Sequence, residues 1–176
     1  MKVRLIATIY VSMILFVMLM GCSEESRVAQ LEAKNKAMVQ RIHAEISKGN
    51  MAIFDEVLSP DYVRHCQAMP PEFQELHGTD EFKAFIADYL TAVPDSYDSV
   101  LFVIAENDMV AYVTKMTGTQ TGPMGELPTS GKKFTLTNIV IHRIEDGKIA
   151  ETWVSWDNVT MLTQLGFFPP TPAEQP

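Results

Sequence analysis

Residues 118–157 decide the fold of this chain and read GTQTGPMGELPTSGKKFTLTNIVIHRIEDGKIAETWVSWD. The dipeptide Asp146-Gly147 separates two runs, residues 133–145 and 148–157, that are rich in β-branched and aromatic residues. Glycine tolerates the positive φ that a tight two-residue turn requires, so this pattern is a strong signal for a β-hairpin. We therefore expect two long antiparallel strands joined at this turn.

Side chains alternate along a strand, which assigns the residues of this hairpin to two faces. Counting from a two-residue turn sets Glu145 opposite Lys148 and His142 opposite Glu151. This register predicts one mixed polar face, suited to a pocket for an organic molecule: Asn138, His142, Glu151, Trp153, Ser155 and Asp157. It predicts that the opposite face carries an apolar set, which suits packing or subunit contact: Ile139, Ile141, Val154 and Trp156.

The N-terminus has the features of an export signal. Lys2 and Arg4 precede an uncharged run, residues 5–20, which is shorter than the roughly 20 apolar residues of a membrane-spanning helix. The run ends at Leu19-Met20-Gly21-Cys22, which resembles the bacterial lipobox, in which the cysteine is lipidated and becomes the new N-terminus. Ser23 then implies a lipid-anchored envelope protein in the outer membrane, facing the periplasm. The alternative is a plain signal peptide or signal anchor with an incidental cysteine.

These features divide the chain into four parts: a signal peptide over 1–21, a lipidated tether over 22–33, one folded domain over 34–167 and a Pro-rich tail over 168–176. Loss of Lys2 and Arg4 with the signal would make the formal charge of −8 more negative still. Such a charge argues against nucleic acid as a partner, because phosphate binding needs clustered basic residues. Beyond Cys22 the one cysteine is Cys66, which we interpret as a small buried residue without a disulfide partner.

The remaining patterns predict the order of the elements. Apolar residues at helical spacing predict helices over 32–47, 51–58 and 79–93 and a last helical turn over 161–165. Further strands are predicted over 61–65, 99–105 and 109–119, and the run 99–105 is apolar enough for burial on both faces. This order predicts an α+β fold in which a curved antiparallel sheet packs on three helices and forms a cone with an internal pocket.

The ordered motifs of this chain resemble the SnoaL-like polyketide cyclase family, also called ester cyclases. The motifs are Gly118-Thr119-Gln120-Thr121-Gly122, Pro128-Thr129-Ser130-Gly131-Lys132, Ile141-His142-Arg143-Ile144, Asp146-Gly147-Lys148-Ile149, the set Glu151, Trp153 and Asp157, and Gln164-Leu165-Gly166. The resemblance covers about residues 35–167 and implies the nuclear transport factor two-like fold, a curved antiparallel sheet on three helices. It also implies a ring closure without metal or cofactor, in which Asp157 is the general acid and base. Many members have His at the position of Gln120.

Two residues are candidates for catalysis, Asp157 and His65. A half-apolar pocket would raise the pKa of the Asp157 carboxyl group, as a base acting near neutral pH requires. The alternative for Asp157 is a helix cap for the residues that follow. The candidate substrate-binding residues are Gln120, Asn138, His142, Trp153, Met116 and Tyr112. For His142 the alternative is a structural pair with Glu151.

We expect no metal, because the histidines His65, His77 and His142 lack the spacing of a zinc site. The family resemblance implies that no cofactor is needed either. Two functions remain open. The first is a cyclase, isomerase or hydrolase acting on a small, largely apolar carbonyl compound. The second is a non-catalytic lipoprotein that binds a hydrophobic ligand or an envelope protein. In either case the apolar face with Ile139 and Ile141 predicts a homodimer.

Overall fold

The structure is a computed structural model that describes residues 2–169, with side chains from residue 24 onward. In this part of the chain the helices are α1 (Lys2–Ile46), α2 (Ile53–Val57), α3 (Gly78–Ala92) and α4 (Asn158–Leu165). The strands are β1 (Leu58–His65), β2 (Glu75–His77), β3 (Tyr97–Glu106), β4 (Met109–Thr119), β5 (Lys133–Glu145) and β6 (Lys148–Trp156). A 3₁₀ turn, Pro71–Phe73, precedes β2.

The predicted tether, residues 22–33, is part of α1 and is helical. Its sequence is compatible with a helix, since Arg27 lies one turn from Glu24 and contacts it at 3.5 Å. The side chain of Cys22 and the tail beyond residue 169 lie outside the described residues, so lipidation stays a prediction. Among the residues with described side chains, no helix has the length and apolar character to cross a membrane.

The six strands form one open sheet in the order β2-β1-β6-β5-β4-β3. Neighbouring strands are antiparallel except for β1 and β6, which are parallel, so the sheet is mixed rather than wholly antiparallel as predicted. Parallel neighbours need a long connection between them, and here almost the whole domain connects β1 to β6. The predicted α+β architecture, with helices packed on one face of a curved sheet, is confirmed.

The hairpin β5–β6 forms at the predicted turn, where Asp146 and Gly147 have φ values of 51° and 76°. Glu145 pairs with Lys148 as predicted, but Ala150 is an extra residue in β6, because Ile144 pairs with Ile149 and Arg143 with Glu151. One inserted residue reverses the alternation of everything after it. The predicted faces of β6 are therefore wrong beyond this bulge. Thr152, Val154 and Trp156 face the helices, and Glu151, Trp153 and Ser155 face away from them.

β3 is the edge strand of the sheet and is not buried on both faces as predicted. Its side chains Leu101, Phe102 and Ile104 are 56%, 56% and 62% exposed. Leu101 is an extra residue on this strand, since Val100 pairs with Thr114 and Phe102 with Val113. The apolar run that suggested a central strand instead forms an exposed apolar patch.

The helices cover the inner face of the sheet, which carries two hydrophobic clusters. The first lies between α1, α2 and the sheet, and its largest buried members include Ile53, Tyr62 and Ile149. The second lies beside α4, around Phe134, Leu136 and Leu165. Along β5 the two clusters are separated by a single inward position, between Val140 and Leu136. That position is Asn138, and it marks the candidate site.

Candidate functional site

Polar side chains lie on the inner face of the sheet between the two hydrophobic clusters. Thr114, Asn138 and Trp156 are neighbours on β4, β5 and β6, because Thr114 pairs with Asn138 and Asn138 pairs with Trp156. Asp98 of β3 belongs to the adjacent row of the same face. His43 of α1 reaches this row, with its Nδ1 3.8 Å from Asp98 Oδ2. We call these residues the inner polar layer: His43, Asp98, Thr114, Asn138 and Trp156.

Four atoms of the inner polar layer are buried and have no hydrogen-bond partner within the described chain: His43 Nε2, Asp98 Oδ1, Asn138 Oδ1 and Trp156 Nε1. The amide nitrogen of Asn138 is engaged, since it donates to Thr114 Oγ1 at 3.3 Å. Leaving a buried donor or acceptor unpaired costs roughly 1–3 kcal/mol, so nearly all such groups in proteins have partners. Unpaired donors and acceptors on one face of the sheet are what a site for polar ligand groups requires.

His43 and Asp98 form the charged part of this layer. Burial lowers the pKa of His43, and the negative charge of Asp98 opposes that change. A lowered pKa keeps the imidazole neutral at pH 7. If its proton is on Nδ1, toward Asp98, then the unpaired Nε2 carries a lone pair and can accept a proton. An imidazole next to a carboxylate is a common arrangement for a general base, although the 3.8 Å between His43 and Asp98 is longer than a hydrogen bond.

His142 and Tyr112 lie on the same inner face but are paired with each other. Tyr112 Oη is 2.9 Å from His142 Nε2, and His142 Nδ1 is 2.8 Å from Thr152 Oγ1. Burial, and to a smaller extent the charge of His43, lowers the pKa of His142 to about 3. The alternative pairing with Glu151 is wrong, because the bulge at Ala150 turns that residue to the other face. His142 is thus a neutral, buried residue of β5 that hydrogen-bonds to β4 and β6.

The helix α3 faces part of the inner surface, and its Tyr89 hydroxyl group donates a hydrogen bond to Met116 Sδ of β4 at 3.3 Å. α3 packs chiefly on β1, and the members of its apolar stripe stay half-buried: Phe82, Phe85, Ile86, Tyr89 and Leu90. Met116, Val154 and Trp156 on the inner face are also half-buried. Inward-facing side chains that keep accessible surface are where an apolar ligand could contact both the helix and the sheet. We call the surface formed by these half-buried residues the α3 cleft.

Asp157 lies at the end of β6, where it caps α4. Its Oδ1 accepts a hydrogen bond from the Thr160 backbone N–H at 3.0 Å, and its Oδ2 accepts one from the Thr160 hydroxyl group. The side chain is exposed. These hydrogen bonds lower the pKa of the Asp157 carboxyl group, whereas the predicted catalytic role requires a raised one. The structure thus places Asp157 in its alternative role as a helix cap.

Gln120 is fully buried, and its side chain holds the loop that precedes β5. Its Nε2 donates to the Pro128 carbonyl oxygen at 3.0 Å, and its Oε1 accepts from the Ser130 N–H at 3.2 Å. Both ends of the amide therefore have backbone partners. Four of the predicted substrate-binding residues share the inner face: Tyr112, Met116, Asn138 and His142. Gln120 lies beside this face, and its amide is hydrogen-bonded to the loop backbone.

His65 and Trp153 lie on the outer face of the sheet, away from the inner polar layer. The His65 ring stacks on the Trp153 ring, with centroids 5.4 Å apart and an interplanar angle of 17°. His65 Nε2 is 2.8 Å from Glu151 Oε1, and its Nδ1 is 3.1 Å from Glu75 Oε1. Arg143 Nε also donates to Glu151, at 3.1 Å. We call these residues the outer histidine cluster: His65, Glu75, Arg143, Glu151 and Trp153.

Two open grooves border the outer histidine cluster. The larger, of about 580 Å³, is lined by residues that include Val63, Lys148 and Glu151. The smaller, of about 410 Å³, runs past His65 and Gln74. Neither groove lies between α3 and the inner face, where the predicted internal pocket would be. Within the part of the chain that the structure describes, no three His, Cys, Asp or Glu side chains are arranged to hold a metal ion.

Sequence reasoning missed three residues of the inner polar layer. The sequence patterns assigned neither His43 nor Asp98 to a site, and they placed Trp156 on the outer face. One signal could have corrected the face assigned to Trp156. The alternate residues Thr152, Val154 and Trp156 are more apolar than Glu151, Trp153 and Ser155, and the more apolar side of a strand usually faces the helices.

Comparisons with known proteins agree with this fold. The family model described as SnoaL-like polyketide cyclase matches residues 37–165. A putative SnoaL-like polyketide cyclase from Jannaschia sp. CCS1 superposes with a TM-score of 0.71 at 23% identity, over 79% of this chain and 96% of that one. AclR, a putative hydroxylase from Streptomyces galilaeus, superposes with a TM-score of 0.67 at 24% identity, over 78% of this chain and 99% of that one.

A third structure, IdmH, a putative polyketide cyclase from Streptomyces antibioticus, is 26% identical with a TM-score of 0.64, over 74% of this chain and 97% of that one. Among curated proteins, none is significantly similar to this chain in sequence. The fold is therefore the nuclear transport factor two-like fold, with helices packed on an open six-stranded sheet. Because the family model matches most of the chain, this protein belongs to the SnoaL-like polyketide cyclase family.

Proposed function

We propose that this protein is a cofactor-independent acid/base enzyme that acts on a small, largely apolar carbonyl compound bound in the α3 cleft. The observation that carries the proposal is the group of buried, unpaired donors and acceptors in the inner polar layer. Half-buried aromatic and aliphatic side chains of α3 supply the apolar lining that such a ligand needs. Family membership supports the same class of reaction.

The proposed chemistry begins with proton removal next to a carbonyl group. His43, neutral and close to the negative charge of Asp98, takes a proton from the carbon beside the carbonyl and becomes an imidazolium ion. The Trp156 Nε1–H donates a hydrogen bond to the carbonyl oxygen and stabilises the negative charge of the enolate. If the enolate carbon attacks a second carbonyl of the same molecule, a ring closes and the imidazolium returns its proton to the new alkoxide. If the proton returns to another carbon, the reaction is an isomerisation.

The exchange of ketone protons with solvent tests this proposal without knowledge of the natural substrate. Incubation of 4-acetylbiphenyl in D₂O with the full-length protein should replace its methyl protons by deuterium, which proton NMR measures. One positioned acid/base residue contributes typically 10²–10⁴-fold to the rate. His43→Gln and Asp98→Asn should therefore each slow the protein-dependent exchange by about a hundredfold or more.

The matched control is Glu151→Gln, which alters a His–carboxylate pair on the outer face of the same sheet. This variant should exchange the ketone at the wild-type rate. Undiminished exchange in both His43→Gln and Asp98→Asn contradicts the proposal. Loss of exchange in Asp157→Asn, with the other two variants active, would instead return the catalytic role to the position that the family resemblance implies.

A second candidate is a non-catalytic lipoprotein that binds a hydrophobic ligand or an envelope protein. Two observations favour it: Asp157 is occupied as a helix cap, and Gln120, at a position where many family members have His, is engaged with the loop backbone. Binding of 4-acetylbiphenyl without any proton exchange is the result that this candidate predicts.

We also propose that Cys22 is lipidated and anchors the domain to the cell envelope, where the domain faces the periplasm. The support is the sequence Leu19-Met20-Gly21-Cys22 after an apolar run. Cys22→Ser should release the protein from the membrane fraction and leave a larger, unprocessed precursor on a denaturing gel. Unchanged size and attachment in this variant would contradict the proposal.

A further inference from the structure

Arg64 is a buried cation without an acidic partner. Its side chain lies on the inner face of β1, and the residue is only 5% exposed. No carboxylate within the described chain lies within 4.0 Å of its guanidinium group, and its nitrogen Nη1 is buried with no hydrogen-bond partner. An arginine stays charged in proteins and has five N–H groups to satisfy. This side chain is therefore an unusual feature of an interior.

The surroundings of Arg64 are aromatic or weakly polar. Its guanidinium carbon lies 4.8 Å from the centre of the Phe85 ring of α3. Burial lowers the pKa of Arg64, and the neighbouring Cys66 and Tyr62 oppose that change. A thiol is only a weak hydrogen-bond acceptor, and a ring face attracts a cation without accepting all of its N–H groups. Neither neighbour replaces a carboxylate.

The nearest acids on adjacent strands are on the other side of the sheet. Glu75 and Glu151 flank His65 in the outer histidine cluster, and His65 follows Arg64 directly along β1. Alternation sends these two side chains to opposite faces. The sheet backbone thus separates the guanidinium group from the carboxylates that could have neutralised it.

Arg64 and the inner polar layer border the same surface. Arg64 pairs with Thr152 of β6, and Trp156 lies four residues further along that strand on the same face. At about 3.3 Å per residue, Thr152, the neighbour of Arg64, is about 13 Å from Trp156 along β6. Phe85 and Tyr89 of α3 and Val154 of β6 are half-buried. A flat molecule of two or three rings matches this length.

We propose that Arg64 binds a carboxylate of the ligand at one end of the α3 cleft, so that the substrate is an aromatic or alicyclic acid whose carbonyl group reaches the inner polar layer. This inference rests on the proposed function for the site and adds the charge and length of its ligand. Buried charges in proteins are normally paired, and a carboxylate accepts two parallel N–H bonds from one guanidinium group.

The test compares two ligands that differ in charge and hardly in shape, biphenyl-4-carboxylate and biphenyl-4-carboxamide. Isothermal titration of the full-length wild-type protein should show that the carboxylate binds about tenfold or more tightly than the amide, as a buried charge-assisted hydrogen bond provides. Arg64→Met should abolish this preference, and Arg64→Lys should keep part of it. Arg143→Met, which removes an outer-face arginine already paired with Glu145 and Glu151, should leave it unchanged.

A second measurement reports on folding. Because no carboxylate of the described residues pairs with Arg64, Arg64→Met should melt at the wild-type temperature or above it. A melting temperature several degrees lower would show that Arg64 has a structural partner and would overturn the proposal. Equal affinities for the two ligands, a preference that survives Arg64→Met, or no carboxylate binding at millimolar concentration would overturn it too.

The two proposals can fail separately. If Trp156→Leu abolishes binding of both ligands and charge makes no difference, the α3 cleft is the site and the carboxylate inference is wrong. If the carboxylate preference depends on Arg64 but Trp156→Leu, His43→Gln and Asp98→Asn change neither binding nor proton exchange, Arg64 marks an anion site and the proposed enzyme function is wrong.

Discussion

Trp153 and Trp156 lie three residues apart on β6 but in two different environments. Trp153 is on the outer face, 37% exposed, and stacks on a histidine whose ring nitrogens both face carboxylates. Trp156 is on the inner face, packs against the second hydrophobic cluster, and its buried Nε1 has no partner within the described chain. Outer polar groups are accessible and paired, as in an ordinary surface network. Four inner polar atoms have no hydrogen-bond partner among the described residues, as expected of a site for a polar ligand.

Replacing each tryptophan by alanine tests this comparison most strongly. Trp156→Ala removes a large side chain that packs against the second hydrophobic cluster and should cost about 3 kcal/mol of unfolding free energy. Trp153→Ala removes a part-exposed stacking partner and should cost about 1 kcal/mol. Urea unfolding at low protein concentration, where self-association contributes little, measures both values. A larger loss for Trp153→Ala would contradict the assignment of the two faces.

The outer face should also mediate self-association, which we propose occurs through its exposed apolar patch: Leu101, Phe102, Ile104 and Ile139. Ile139→Lys places a charge in this patch and should weaken a homodimer by about tenfold to a hundredfold, the usual range for a central interface residue. Sedimentation measures the change, and Val140→Ala, on the inner face of the same strand, is the control. A wild-type protein that sediments as a monomer at tens of micromolar, roughly the range that a micromolar dimer populates, would contradict the proposal.

The pH dependence of stability should report on the inner face through His142. Its pKa is about 3 in the folded protein and about 6.5 in an unfolded chain. Between these values the unfolded state binds a proton that the folded state excludes. The stability due to the neutral imidazole is thus complete above about pH 6.5 and is lost as the pH falls toward 3.

His142→Asn should be less stable than wild type at pH 7, because Tyr112 and Thr152 lose a partner. It should also show a shallower fall in stability between pH 6.5 and 4, by up to about 1.4 kcal/mol per pH unit. Denaturant titrations at several pH values measure this slope. Identical slopes for the variant and the wild type would show that the imidazole is not buried in its neutral form.

The smallest expected effect concerns Asp157, which belongs to neither face. As a cap, it should tolerate Asp157→Asn with an unchanged melting temperature at pH 7, while Asp157→Ala should lower that temperature by roughly 2–6 °C. Because the pKa of Asp157 is lowered, the contribution of its carboxylate is present above the unfolded pKa and is lost as the pH falls through the folded one. An equal melting temperature for Asp157→Ala would show that the cap contributes nothing.

The sequence predicted the elements and the fold well because local signals specify them. Asp146-Gly147 specified the hairpin turn, and Asn138 and His142 of β5 share one face as predicted. The bulge at Ala150 could not be found from turn geometry, since counting from the turn assumes an uninterrupted ladder. That single residue moved Glu151 and Trp153 to the outer face and brought Trp156 to the inner one.

The candidate site was harder to predict because it depends on contacts between distant elements. His43 of α1 meets Asp98 of β3 only once the sheet curves under the helix, and no spacing in the sequence links them. Alternation along β1 places Arg64 on the face opposite His65, but whether an acid lies near it depends on the folded chain. Asp157 shows a different limit of prediction. The family resemblance implies a catalytic role for this residue, but in the structure its side chain caps a helix.

The extra residue Leu101 in the edge strand β3 has a consequence for solubility. An exposed apolar edge strand presents unpaired N–H and C=O groups, to which the edge of another molecule can add and begin aggregation. A bulge in the middle of β3 divides that edge into two short stretches, Tyr97 to Val100 and Phe102 to Glu106. Neither stretch offers a long flat template. The irregularity that helps expose Leu101 thus also protects a chain with an open sheet from polymerising along its edge.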